Sequence, residues 1–260
     1  MSVARSSEPI RVRIPAAPVR TTSADAALAP LVSSKVQSWR AGETIARESS
    51  ATPELWVLVS GWAARTRILS DGRRQITRIM LAGDVGPSPT LNAPGSTIVA
   101  ITPVKTASLG TLRELLGSEE LARAEARNVL QRLADEEQAE LFDHIVRLGR
   151  MSAYERTADM ILELFGRLAR KGQIAGETMP LPLTQELLAD FLGLSIVHVN
   201  RTLQQLRRKG LIVLRAGQLR ILDLAALAAV CGRQPILPLP AAEPRSFAGR
   251  DRASISTSGG

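Results

Sequence analysis

Five side chains in the C-terminal third of the chain have the types and the spacing that suit contacts with nucleobases: Ile196, Val197, Asn200, Arg201 and Gln204. The last four recur at intervals of three and four residues along the chain, so a helix places them on one face. An arginine guanidinium can donate to both acceptors of guanine, and an asparagine amide can pair with adenine in the same bidentate way. These five residues are the predicted base-reading set.

A second set of polar and basic residues surrounds the first and suits contacts with phosphate oxygens: Thr184, Ser195, His198, Arg207, Arg208, Lys209 and Arg215. Between residues 193 and 222 the chain carries arginine and lysine but no acidic residue. Cations in such a cluster bind phosphates whatever the base sequence, and they fix the register of a protein on its duplex. The predicted partner is therefore double-stranded DNA.

Residues 183–223 must position both sets. The helical spacing of their apolar residues predicts two short helices joined at Gly193, with Thr184 and Ser195 as the N-caps. A β-hairpin with Ala216 and Gly217 at its tip follows the second helix. This pattern predicts a winged helix-turn-helix, and a helical hairpin with a solvated basic rim is the alternative.

Composition limits the classes of protein to which the chain can belong. Its 260 residues, net charge of +8 and 45% hydrophobic content predict about two domains and a polyanionic partner. No apolar run reaches the ~20 residues of a membrane span, and no signal-peptide pattern is present, so we expect a cytoplasmic protein without a membrane partner. The single cysteine, Cys231, excludes an intramolecular disulfide and a cysteine-built metal site, and we expect no cofactor.

The hydrophobic pattern divides the chain into five parts and predicts an α+β fold. Residues 1–33 are a predicted disordered arm, and residues 233–260 are a predicted disordered tail. Residues 34–117 are a predicted β-roll or jelly roll, with strands near 55–59, 62–69, 75–81, 96–101 and 104–109. Residues 118–150 predict a long dimerisation helix with a hinge, and residues 151–232 predict the winged helix-turn-helix domain.

The long helix carries a stripe close to heptad spacing that is predicted to pair with a second copy of the chain: Leu130, Ala134, Glu137, Leu141 and Ile145. Glu137 interrupts this apolar seam, so we expect a dimer helix that is poised between two packings. The alternative is that the stripe packs on the roll of its own chain.

Residues 149–152 are the predicted hinge between the long helix and the DNA-binding domain. Ser152 followed by Glu155 has the pattern of a capping box, which starts the next helix. We expect the long helix and this hinge to be the only elements that link the roll to the winged helix. Arg73 and Arg74, which lie beside a hairpin turn, are expected to be solvated, and contact with polymerase or with the other domain is the alternative.

Several short motifs resemble those of the Crp/Fnr family of bacterial transcription regulators. They are Ser60-Gly61-Trp62-Ala63, Asp71-Gly72-Arg73-Arg74-Gln75, Gly83-Asp84, Leu148-Gly149-Arg150-Met151-Ser152-Ala153 with Glu155-Arg156, and residues 193–201. The resemblance covers about residues 35–231. It implies a β-roll of the cyclic-nucleotide-binding type, a dimer helix and a winged helix, and a homodimer that binds palindromic DNA and contacts RNA polymerase.

The sequence departs from the family pattern where an effector would bind. The resemblance places the effector pocket at Gly83, Asp84, Ser96 and Thr97. Pro87 and Pro94 lie near the positions where cyclic AMP-binding members have a glutamate and an arginine, and residues 85–96 carry no charge. A buried cyclic phosphate would lack a cation there, so we expect no binding of cyclic AMP or cyclic GMP.

Two further departures concern base reading and metal binding. Val197 stands where the familiar reading helix has a glutamate, so we expect a different operator at the base pair which that glutamate reads. The N-terminal cysteine cluster of the Fnr branch is absent from the sequence. His144 and His198 fall on separate predicted helices, so we expect neither haem nor a metal site.

Two other classes of protein compete with a DNA-binding regulator. A jelly-roll oxygenase needs a cluster of histidines and acidic residues, which two separated histidines cannot supply, and the sequence has no phosphate-binding loop or nucleophile elbow. We therefore do not expect an enzyme. The alternative function is a cytosolic small-molecule receptor whose β-roll is the main functional site and whose DNA binding is secondary.

Overall fold

The structure is a computed structural model that describes residues 35–48, 54–87, 95–111, 120–174 and 176–233. It has the predicted α+β architecture, in which a β-roll, a long helix and a winged helix-turn-helix follow one another along the chain. The predicted arm lies outside the described residues, and so does the predicted tail except for Arg233. Within the described ranges, no helix combines the length and the apolar character needed to cross a membrane.

The roll consists of two antiparallel sheets. In the described residues its strands are β1 (Val36–Trp39), β2 (Thr44–Glu48), β3 (Glu54–Ser60), β4 (Ala63–Ile68), β5 (Arg74–Met80), β6 (Val85–Gly86), β7 (Ser96–Ala100) and β8 (Val104–Thr111). One sheet has the order β1-β8-β3-β6 and the other has the order β2-β7-β4-β5. The five predicted strands are present. The sequence analysis missed β1, β2 and β6, because these strands lie at sheet edges and lack a strong apolar alternation.

Strand β3 is buried on both faces and holds the roll together. Trp56 and Leu58 belong to one hydrophobic cluster, and Leu55 and Val57 belong to another. Alternate side chains of a strand point to opposite sides of a sheet, so the two clusters lie on opposite sides of β3. The long helix α1 (Glu120–Arg150) adds Val129 and Leu130 to the second cluster.

This packing shows that most of the predicted dimer stripe faces the roll of its own chain. Leu130 and Ala134 are buried, and Leu141 is half-buried. The placement of Leu130 and Ala134 on a dimer seam is therefore wrong, because neither has surface left for a partner helix. A helix that packs on a sheet and a helix in a coiled coil both show apolar residues at intervals of three and four, so spacing alone does not separate them. Ile145, from the same stripe, is exposed.

Glu137 is also buried, and its carboxylate pairs with the guanidinium of Arg65 in β4. The interpretation of Glu137 as a break in an exposed seam is therefore wrong, as is the expectation that it poises the dimer helix between two packings. Its role is to neutralise a buried arginine, because an uncompensated charge inside a protein costs several kcal/mol.

The C-terminal domain begins with α2 (Ala153–Arg170). The amide of Glu155 donates to the Ser152 hydroxyl, and the amide of Ser152 donates to the Glu155 carboxylate, so the predicted capping box is present. Arg156 then donates to the carbonyl oxygens of Met151 and Leu192, which ties the hinge to the end of the next helix.

The remaining elements form a winged helix-turn-helix. They are β9 (Thr178–Pro180), α3 (Gln185–Leu192), α4 (Ile196–Arg208), β10 (Ile212–Arg215), β11 (Gln218–Ile221) and α5 (Leu224–Cys231). The three short strands pair in the order β10-β11-β9. The sequence analysis missed β9, because three residues ending in a proline are too few to show a period. Arg233, which follows α5, pairs with Asp143 and Asp159, so the predicted disordered tail does not include this residue.

The roll and the winged helix-turn-helix domain pack directly on each other. Ala64 of β4 and Ile76 and Ile79 of β5 share a hydrophobic cluster with residues of α2 and α3. Arg74 of β5 also pairs with Asp190 of α3 at 2.6 Å. The predictions that Arg74 is solvated and that only α1 and the hinge link the two parts are therefore wrong. Arg73 remains at the surface, where it pairs with Asp71.

A buried carboxylate strengthens the contact between the two parts. Asp84, in the turn between β5 and β6, accepts hydrogen bonds from Arg167 at 2.6 Å, Lys171 at 2.5 Å and the amide of Leu81 at 2.8 Å. Burial opposes its ionisation, but the charges of Lys171, Arg167 and Arg78 outweigh burial and hold the pKa of Asp84 well below its usual range. The ionised carboxylate thus compensates cations that α2 brings to the roll.

Replacing Asp84 with Asn should lower the free energy of unfolding by about 3 kcal/mol, because the buried cations lose their counter-charge. The folded-state pKa of Asp84 lies below the unfolded value of about 3.9, so its stabilisation is complete above that value and is lost as the pH falls toward the folded-state pKa. Asp84→Asn should therefore be less stable than wild type at pH 7 and should lose less stability between about pH 5 and pH 3. Urea unfolding at a series of pH values measures both effects.

Asp71→Asn is the matched control for this prediction. The pKa of Asp71 is also lowered, chiefly by the backbone and side chain of Arg73, but Asp71 lies in an exposed turn. Solvent screens such a pair, so Asp71→Asn should change the free energy of unfolding little. Equal losses of stability in the two variants would contradict the role of the Asp84 contact.

Candidate nucleic-acid interface

Helix α4 is held by its inner face. Val199, Leu203 and Leu206 are buried in the core of the domain. Gly193 joins α3 to α4 with a φ of +62°, which glycine adopts without strain, and a Cβ at this position would lie 3.3 Å from a methyl carbon of Leu148 in α1. The core and the turn together fix the direction in which the outer face of α4 points.

Both helices of the motif begin with the predicted caps. The amide of Leu187 donates to the Thr184 hydroxyl at 3.2 Å, and the amide of His198 donates to the Ser195 hydroxyl at 3.3 Å. Each hydroxyl keeps its own O–H, which can donate to a phosphate oxygen. The helix N-termini also favour negative charge, so caps at these positions are compatible with phosphate contacts.

The five predicted base-reading residues lie together on the outer side of α4. Ile196, Val197, Arg201 and Gln204 are exposed, and Asn200 is half-buried. Nδ2 of Asn200 donates to Oε1 of Gln185 in α3 at 2.7 Å. An amide carries a second N–H and two acceptor lone pairs, so Asn200 can still form a bidentate contact with a base.

The predicted phosphate-binding cations border this face. Arg207 and Arg208 occupy the last turn of α4, Lys209 follows them, and Arg215 ends the first strand of the hairpin. All four side chains are exposed. The Lys209 ammonium lies 5.0 Å from the ring centroid of Tyr154, which holds this cation beside the start of α2. The outer face of α4 is thus bordered by positive charge.

The hairpin after α4 has the geometry of a wing. Ala216 and Gly217 form its tip with φ angles of +49° and +74°, as expected for a tight two-residue turn. The amide of Leu181, which follows β9, donates to the carbonyl oxygen of Gly217 at 2.7 Å. Strand β9 and the residue that follows it therefore hold the wing in place by hydrogen bonds. Arg215 lies on this supported hairpin.

The four residues predicted to form an effector pocket take part in different contacts. The carboxylate of Asp84 is occupied by Arg167 and Lys171, so its assignment to the pocket is wrong. The amide of Gly83 donates to the carbonyl of Leu58, and the carbonyl of Thr97 accepts from the Thr66 hydroxyl. Ser96 is the member of the predicted set that lines a cavity.

This cavity has a volume of about 210 Å³ and lies between the roll and α1. It is lined by Arg65, Arg67, Thr77, Arg78, Ser96, Glu137, Glu140 and Leu141. Arg65 pairs with Glu137, and Nε of Arg78 donates to Glu140 at 2.8 Å. Burial raises the pKa of Glu140, and the nearby charges of Arg167 and Arg78 partly offset this effect. The sequence analysis missed these residues because charges on two strands and a helix show no shared spacing.

Ion pairs connect the cavity to α2 of the winged helix-turn-helix domain. Arg167 of α2 lies 3.1 Å from Glu140 in the cavity wall and 2.6 Å from Asp84. Arg78, which also lines the cavity, lies 3.8 Å from Asp84. A change in the partners of Arg78 or Glu140 would therefore alter the charges that hold α2 on the roll.

A second junction joins α1, α2 and α3. Arg147 is completely buried and pairs with Asp159 and Glu163 of α2. His144 accepts or donates a hydrogen bond with Arg147 at 3.1 Å and stacks on Phe191 of α3, with ring centroids 4.4 Å apart. Burial and the charge of Arg147 lower the pKa of His144 to about 4, so the ring is neutral near pH 7. His144 is a packing residue of this junction.

Comparison with known proteins supports this architecture. Residues 155–230 match the model of a Crp-like helix-turn-helix domain, and residues 36–115 match the model of a cyclic nucleotide-binding domain. The structure of FixK2 from Bradyrhizobium japonicum is similar, with a TM-score of 0.67 and 28% sequence identity. The match covers 75% of this chain and 96% of that chain.

Two curated relatives match most of the chain. The chain is 35% identical over 193 residues to the nitrogen fixation regulation protein FixK of Bradyrhizobium diazoefficiens, which covers 73% of this chain and 78% of the relative. It is 32% identical over 187 residues to the transcriptional activatory protein AadR of Rhodopseudomonas palustris, which covers 70% of this chain and 74% of that protein. With the capped reading helix, the basic border and the wing in place, these matches show that the chain belongs to the Crp/Fnr family of DNA-binding transcription regulators.

Proposed function

We propose that the protein binds a palindromic site in double-stranded DNA as a homodimer and that its β-roll senses an effector. The observation that carries the proposal is the outer face of α4, where Asn200 and Arg201 are presented beside exposed cations. Helix α4 enters the major groove, where Arg201 contacts guanine and Asn200 contacts adenine. Arg207, Arg208 and Arg215 contact the phosphates on either side.

The dimer forms through the exposed side of α1. Phe142, Ile145 and Val146 are 60%, 58% and 51% exposed, and they fall at intervals of three and four residues on a helix. Burial of such an apolar cluster against a second copy of the chain contributes favourable free energy to dimerisation. Two parallel α1 helices would relate the two α4 helices by a two-fold axis. The proposed dimer face thus lies nearer the C-terminal end of α1 than the buried residues Ala134 and Glu137.

The partners follow from this function. The relative AadR is named a transcriptional activatory protein, and we propose that this chain likewise regulates transcription, by contact with RNA polymerase. Its DNA target places it in the cytoplasm. The cavity beside Ser96 is the proposed effector site, because its wall shares Arg78 and Glu140 with the ion pairs that hold α2. A ligand acts there by binding one arrangement of the domains better than another.

Arg201→Ala should weaken binding to the specific site by about 1–3 kcal/mol per half-site and relax the preference at one base pair, because a bidentate base contact is lost. Arg208→Ala is the comparison variant from the same helix. It should weaken binding to all sequences by a similar factor and reduce the salt dependence, because only a phosphate contact is lost. Fluorescence anisotropy with specific and random duplexes at several salt concentrations separates the two effects. Equal losses on specific and random DNA for Arg201→Ala would contradict its role in base reading.

Ile145→Asp should shift the protein from dimer to monomer at micromolar concentration, because it places a charge in the apolar face of α1. The matched control is Ile68→Asp, since Ile68 is 66% exposed at the end of β4 and lies outside that face. The control should remain a dimer. Sedimentation equilibrium measures the assembly state, and a dimer of unchanged stability in Ile145→Asp would contradict the proposed interface.

Cyclic AMP and cyclic GMP should not bind at physiological concentrations. Residues 85–96 supply no cation, and the cavity residues Arg65, which is buried, and Arg78, which is half-buried, already pair with Glu137 and Glu140. The third cavity arginine, Arg67, is exposed to solvent, so a cyclic phosphate would gain a cation shielded from solvent only by displacing these carboxylates. Titration calorimetry of the full-length protein with each nucleotide measures this directly. A micromolar Kd for either nucleotide would contradict the prediction.

A further inference from the structure

Val197 is the most exposed large apolar side chain in the described part of the chain. It is 67% exposed, and its neighbour Ile196 is 46% exposed. Both lie in the first turn of α4, where most other aliphatic side chains of the helix are buried in the domain core. Burial of an aliphatic side chain at this position would contribute favourable free energy to the binding of a partner.

The surroundings of Val197 identify what covers it. Arg201 lies one turn further along the same face of α4, and Asn200 lies beside it. The nearby exposed cations Arg207, Arg208 and Arg215 favour a polyanion over an apolar protein surface. The occupant is therefore the floor of a DNA groove, within the function proposed above.

The major groove presents one apolar group at the base edges, which is the C5-methyl of thymine. A glutamate at position 197 would instead accept a hydrogen bond from the amino group of cytosine. Valine has no acceptor for that amino group, and its two methyl groups suit van der Waals contact with another methyl. The side chain thus favours thymine over cytosine at the base that it faces.

We propose that Val197 is a specificity-determining residue that selects thymine in each half-site by packing on its C5-methyl group. The proposal rests on the proposed function, because it requires α4 to enter the major groove. It assigns Val197 a contact with a single methyl group, and this contact adds to the hydrogen bonds of Arg201 and Asn200.

The test uses the full-length protein and a duplex selected from a library of random sequences. Each thymine of the selected duplex is replaced by deoxyuridine, one symmetric pair at a time, which removes the methyl group and leaves base pairing intact. Replacement of the contacted pair should weaken binding about fourfold per half-site, the effect of one buried methyl group. The other thymines should tolerate the same replacement.

The second change in the test is Val197→Ala, because alanine is compatible with a helix and removes most of the contact with the thymine methyl group. This variant should bind the thymine and deoxyuridine duplexes with nearly equal affinity. The matched control, Ile68→Ala in the roll, should keep the wild-type difference, because Ile68 is equally exposed but lies far along the chain from α4. A double-mutant cycle then isolates the coupling between residue 197 and the methyl group.

Two results would overturn the inference and leave the proposed function standing. One is specific binding that is insensitive to deoxyuridine at every thymine. The other is a methyl dependence that Val197→Ala retains in full, since another side chain would then make the contact. If no specific duplex emerges from the library, the proposed function itself fails, and the role of Val197 fails with it.

Discussion

The placement of the DNA-binding domain depends on the buried carboxylate of Asp84. This residue comes from a turn of the roll, and its partners Arg167 and Lys171 come from α2 and the residue that follows it. Helix α2 in turn contacts α4, where the hydroxyl groups of Thr157 and Thr202 lie 3.2 Å apart in the core. A charge in the roll therefore fixes α2, and α2 supports the helix that meets DNA.

The same ion pairs connect the cavity, which is the proposed effector site, to α2 and through it to α4. The cavity wall contributes Arg78 and Glu140 to the ion pairs around Arg167. In a site of low dielectric these charges interact strongly, so a ligand that changes one pair changes its neighbours. A small shift of α2 would be enough to move α4, because the core that joins them is closely packed. In the described residues the roll and the winged helix are therefore joined by the long helix, by β5 and by the turn that holds Asp84.

The sequence was sufficient to predict the elements that follow local rules. The capping box at Ser152, the caps Thr184 and Ser195 and the hairpin tip at Ala216 and Gly217 are all set by neighbouring residues, and the structure has each of them. Contacts between distant segments did not follow from spacing. Asp84 and Arg167 are 83 residues apart in the chain, and a pattern of residues does not show that a buried charge meets its partner across a domain boundary. The prediction that the apolar stripe on α1 forms a dimer seam was wrong for a related reason. Helices show the same apolar period whether they pack on a sheet or on another helix.

The central claim is that two copies of α4 meet DNA in successive major grooves. Hydroxyl-radical footprinting of the full-length protein on a selected duplex tests it most directly, because the method maps protection along each strand. The account predicts two protected tracts related by a dyad, with centres about 10 base pairs apart. A single protected tract, or uniform protection without a dyad, would contradict it.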